Sequence, residues 1–99
     1  MDNFYKQNSE KFPIAVDFST NIESGDSILV KDVSAIVIAS SADATATIID
    51  SSLLVSTSNI IKAVVKDGTT GTNYKITFKA TTNNGYIYEH DVAMLVRNV

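Results

Sequence analysis

The stretch YKITFKATTNNGYIYEHDVAMLV, residues 74–96, decides the fold. Tyr74, Ile76, Phe78 and Ala80 alternate with Lys75, Thr77, Lys79 and Thr81, and a period of two sends the two sets to opposite faces of a strand. Asn83, Asn84 and Gly85 follow, and an Asn-Gly pair tolerates the two positive φ angles of a type I′ turn. A partner strand from Tyr86 to Arg97 is therefore expected to complete an antiparallel hairpin. On it Val92, Met94 and Val96 form a core face, yet Ala93 and Leu95 between them are apolar as well. That second apolar side calls for cover, either by Phe4 and Tyr5 near the N-terminus or by another subunit.

Working back from the hairpin, KDGTTG at 66–71 is a two-glycine loop, and Tyr74 follows it closely. A Tyr opening the penultimate strand, with its hydroxyl bonded back to the preceding loop, is the tyrosine corner of immunoglobulin-like sandwiches, and Tyr74 is the candidate. Leu53–Ser56 and Asn59–Lys66 supply one or two strands, and a short strand is expected around Thr45–Ile49. Between Ile28 and Ala39 strict alternation fails at Ile28, Leu29 and Val30, which predicts two pieces joined by a turn or bulge near Lys31 and Asp32. Phe12, Ile14, Val16 and Phe18 alternate with Pro13, Ala15, Asp17 and Ser19. Pro13 has no amide proton, so this strand belongs at a sheet edge. The fold class is all-β: an immunoglobulin-like sandwich of about seven short antiparallel strands over 12–99, ending in the C-terminal hairpin and preceded by an arm over 1–11.

The 99 residues suffice for one core, and 44% hydrophobic with 19% charged residues is a globular balance. The net charge of −3 and the scattered lysines argue against nucleic acid and anionic membranes as partners. With no cysteine, disulfides, thiolate metal sites and a Cys nucleophile are excluded. MDNFYKQNSEKF carries no apolar stretch behind a basic region, so it does not read as a signal peptide, and no segment reaches the length of a membrane span.

No catalytic constellation emerges. His90 is the sole histidine, and Glu89 and Asp91 beside it point to the opposite face of the strand, so a triad is not assembled. Asp17, Glu23, Asp26 and Asp32 fall in or near turns, but their spacing is not that of a calcium loop, and they read as turn caps. The four glycines sit in turns without a following helix and make no phosphate loop. No catalytic, cofactor or metal residue is therefore assigned. Tyr86 and Tyr88, on one side of one strand, suggest as an alternative a carbohydrate- or surface-binding module.

Taken end to end, the chain resembles a family of small phage structural proteins described as fibre-tail adaptor or neck and tail components. The resemblance rests on Lys6 and Glu10, on Asp17-Phe18-Ser19, on the GDSI turn at 25–28 and on the closing block 68–96. Asn8-Ser9 stands where an Asp-Pro is usual, and Phe18 where a Trp is expected. The resemblance implies a non-enzymatic virion subunit of a phage or prophage, acting as a homo-oligomer beside other phage structural proteins. Subunit contacts are expected at Phe4, Tyr5, Ala93 and Leu95.

Overall fold

A computed structural model describes residues 2–97, the side chains at positions 53, 55 and 57 excepted. The last two residues of the 12–99 domain reading and Met1 of the arm lie outside the described residues. The strands are β1 (Asp2–Lys6), β2 (Phe12–Asp17), β3 (Ile28–Val37), β4 (Ile49–Thr57), β5 (Ile60–Val65), β6 (Asn73–Thr82) and β7 (Ile87–Val96), with one helical turn, α1 (Thr45–Ile48), before β4. They form a four-stranded sheet in the order β1-β7-β6-β3 and a three-stranded sheet in the order β2-β5-β4, packed as an all-β sandwich. The pairings β2-β5-β4 and β3-β6-β7 follow the order of the B, E, D and C, F, G strands of the immunoglobulin arrangement.

The alternation in the quoted stretch is realised residue by residue. Tyr74, Ile76, Phe78, Ala80 and Thr82 are buried on the inner face of β6, and Met94 and Val96 join them from β7. Phe18, Ile48, Ile61 and Val65 close the core from the opposite side. Tyr74 forms the corner: its hydroxyl accepts the Thr69 amide at 3.0 Å. Pro13 does lie on an edge strand, β2.

Four local expectations are corrected. Residues 1–11 are not all arm, because β1 lies in the sheet beside β7, and that pairing is parallel where all others are antiparallel. The irregularity predicted near Lys31 and Asp32 falls at Leu29, between the pairs Ile28–Thr82 and Val30–Thr81, and β3 then runs unbroken to Val37. Thr45–Ile48 is a helical turn: the Asp43 carboxylate takes up both the Thr45 amide (3.1 Å) and hydroxyl (2.7 Å), bending the chain so that Ile48 N–H reaches the Ala44 carbonyl. The hairpin tip is not type I′, since only Gly85 has positive φ (87°). The Gly85 amide donates to Thr82 O, as in a type I turn followed by a left-handed glycine. Two consecutive left-handed residues occur instead at Ser58 (52°) and Asn59 (66°), joining β4 to β5.

The hairpin tip keeps its conformation because it is tied sideways. Asn83 N–H donates to Ser27 O at 3.0 Å, its side-chain amide to Ser27 Oγ at 2.6 Å, and Asn84 N–H to Asp26 Oδ1 at 3.3 Å. Burial disfavours the Asp26 anion, but the Thr82 hydroxyl and the amides of Ser27, Asn84 and Asn83 outweigh it and hold the pKa below the ordinary carboxylate value.

Candidate interaction face

The outward residues of the four-stranded sheet form rows across its strands. At the hairpin end Val30, Thr81 and Ile87 stand side by side, then Asp32, Lys79 and Glu89, then Ser34, Thr77 and Asp91. Beyond them come Ile36, Lys75, Ala93 and Asn3, and finally Asn73, Leu95 and Tyr5, with Ile38 beside Asn73 through its amide bond to Asn73 O. The middle of the face is polar: Lys79 lies between two carboxylates, and the Thr77 hydroxyl donates to Asp91 at 2.8 Å. Both ends are apolar.

The hairpin end is the more exposed in apolar groups. The bulge at Leu29 interrupts alternation, and Leu29 (64% exposed), Val30 (53%) and Ile87 (57%) stand in solvent together with Tyr86. A shallow hollow of about 290 Å³ lies next to them, lined by Val30, Lys31, Asp32, Lys79 and Thr81. At the other end Tyr5 and Ile38 are exposed and Leu95 is half-buried.

The four residues expected to make subunit contacts separate by face. Tyr5 and Leu95 are adjacent on the outer face. Ala93 is on that face too, but it is buried in the row between Lys75 and Asn3. Phe4 points inward and meets Phe12 edge-to-face at 5.9 Å. Tyr86 and Tyr88 form no shared platform: Tyr88 packs on the core, while Tyr86 precedes β7 at the exposed turn. Sequence reasoning did not assign Leu29, Val30, Ile38 and Ile87 to a surface. The available signal is the consecutive run Ile28-Leu29-Val30, which by itself indicates only an irregular strand.

β1 is held by Lys6, whose side chain is buried and whose ammonium donates to the carbonyls of Gln7 (2.8 Å), Asn8 (3.3 Å) and Asp67. Burial lowers its pKa from the ordinary lysine value, against the opposing pull of Asp67 and Glu10. Glu10 in turn accepts the Gln7 amide at 2.7 Å, and the Arg97 amide donates to Lys6 O at 2.9 Å. Lys6 and Glu10 thus serve the fold. His90 faces Asp2, Nε2 to Oδ2 at 3.6 Å, both exposed. Among the described residues no three His, Asp or Glu side chains converge as metal ligands.

The strands, the hydrogen-bonded turn carboxylates and the apolar rows at the two ends of the four-stranded sheet describe an all-β sandwich with exposed apolar groups and, among the described residues, no gathered metal ligands. Residues 6–95 match the model of the podophage GP4 fiber-tail adaptor protein gp77 family, and the chain belongs to that family. Neither a curated protein nor a solved structure matches it.

Proposed function

We propose that this chain is a non-enzymatic structural subunit of a podophage virion, an adaptor present in several copies that joins fibre to tail through protein contacts. The observation that carries this reading is the family match across 6–95. The surface supports it: the apolar rows at Leu29, Val30 and Ile87 and at Tyr5 and Leu95 suit other phage structural proteins as partners. The net charge of −3 favours protein over nucleic acid.

The test is assembly of particles from a phage in which this coding sequence is deleted. Tails without fibres are expected, with fibres restored by the wild-type chain supplied in trans and not by a folded Leu29→Asp, Ile87→Asp double variant. Particles that carry a normal fibre complement without the chain would overturn the proposal.

A further inference from the structure

We infer that two copies of this chain pair edge to edge along the open part of β7, at Ile87–Glu89, in an antiparallel two-fold contact. This names a surface for contact between the several copies proposed above and rests on that reading. β6 pairs with β7 from Ile87 onward, whereas β1 covers only Val92–Val96. Among the described residues the hairpin therefore stands out beyond β1 and leaves a notch along residues 87–91.

The groups facing the notch follow from their neighbours. Val96 N–H bonds to Thr72 O and Thr82 N–H to Tyr86 O, so even-numbered residues of this strand turn toward β6. Arg97 N–H bonds to Lys6 O, so odd-numbered ones turn toward β1 and the notch. Ile87 and Glu89 each present an N–H and a C=O there, with no partner among the described residues.

A two-fold axis at Tyr88 sets Ile87 opposite Glu89 of the second copy and the reverse, which pairs all four groups of each strand. Each hairpin fills the other's notch, because the protruding segment and the notch are the same residues. The side chains agree: Ile87 lies beside the stem of Glu89, like charges are not directly opposed, and the two Tyr88 rings are cross-strand neighbours. The contact is isologous and self-limiting.

β3 shows what an unsuitable edge looks like. Ala35 and Val37 bond outward to Thr45, Ala44 and Ala42, so Lys31 and Val33 leave equivalent groups open on the same side. Pairing that edge about a two-fold axis opposes Asp32 to Asp32, and the bulge at Leu29 twists its end away.

The chain has no cysteine, so single thiols report the register cleanly. Opposed residues of a hydrogen-bonded pair lie about 5.5 Å apart at Cα, within reach of a disulfide, whereas diagonal residues lie about 7–8 Å apart. A mixture of the Ile87→Cys and Glu89→Cys variants under mild oxidation should form covalent dimer in clear excess over either variant alone. In sedimentation, Glu89→Pro should weaken association about tenfold, the loss of hydrogen bonding across the axis, while Lys31→Pro leaves it unchanged. Cross-linking in the mixture no greater than in the single variants would overturn the inference. Association that survives Glu89→Pro rejects this surface and leaves the homo-oligomer standing. A chain monomeric throughout rejects both, and the adaptor role is then judged by the particle assay alone.

Discussion

Gly68 and Gly85 share a left-handed backbone, φ 98° and 87°, in very different surroundings. A Cβ at Gly85 meets nothing within 4 Å, whereas one at Gly68 would stand 2.9 Å from Val96 Cγ2 in the core. Gly85→Ala should therefore show the backbone cost alone, about 1 kcal/mol, and Gly68→Ala that cost plus about 1–3 kcal/mol of overpacking. Urea midpoints of the two variants measure the difference, and equal midpoints would contradict the packing drawn for the 66–71 loop.

Asp50 makes a different kind of residue-level contribution. The Ser52 hydroxyl bond, then the Lys11 contact at 3.0 Å, hold its pKa down to about 2 despite some desolvation. The folded state binds this proton more weakly than the unfolded chain does. The stabilisation is therefore full above the ordinary carboxylate range and disappears as the pH falls toward 2. Asp17, Asp26 and Asp43 are shifted in the same direction by hydrogen bonds from Ser19, from Thr82 and its neighbours, and from Thr45. Melting temperature should fall from about pH 4 downward, and Asp50→Asn should make that limb shallower while leaving the neutral plateau lower.

Among the elements, β1 is anchored at its end by one buried side chain, Lys6. Lys6→Met keeps the buried stem but leaves the carbonyls of Gln7, Asn8 and Asp67 without their shared donor, at a cost of about 1–3 kcal/mol. Hydrogen exchange should then accelerate in the amides between β1 and the end of β7 and remain slow in the middle of β6. Uniform acceleration across both sheets would show instead that β1 unfolds only with the whole sandwich.

β1 also marks a limit of sequence reading. Asp2, Asn3 and Lys6 are polar, and nothing in DNFYK announces that Lys6 is buried or that the pairing is parallel; the first depends in part on the Asp67 carbonyl, far away in the chain, and the second on where β7 lies. β6 was legible because its two faces differ from Tyr74 to Thr81, and Tyr74 because its hydroxyl needs only the adjacent loop. The turns were harder. Asn83-Asn84-Gly85 has type I′ chemistry, but Asp26 and Ser27, far away in the chain, draw its amides into another geometry. Ser58-Asn59 carries a weaker turn signal and adopts two left-handed residues because Thr57 and Ile60 pair directly across it.

For the molecule as a whole, the surface was only partly legible. Tyr5 and Leu95 were found because they follow from the face of β7. The row at Leu29, Val30 and Ile87 was not, because it exists only once β3, β6 and β7 are placed side by side and a bulge has turned Leu29 outward. With more exposed apolar groups gathered together, Leu29, Val30, Tyr86 and Ile87 against Tyr5 and Ile38, this end should contribute more to partner binding than the row at Tyr5. A Val30→Asp variant should keep its unfolding free energy within about 0.5 kcal/mol of the parent and still fail to co-purify with tail components. Equal retention on the tail would place the contact elsewhere.

The parallel pairing of β1 with β7 gives this sandwich a mechanical character as well. Tension applied at the start of β1 and the end of β7 slides the two strands past each other, so the bonds that join Asp2–Lys6 to Val92–Val96, and the Lys6 anchor behind them, bear the load together. Force applied across the β6–β7 tip would instead peel that ladder open one rung at a time. A particle that pulls on this subunit through its two terminal strands meets its strongest axis.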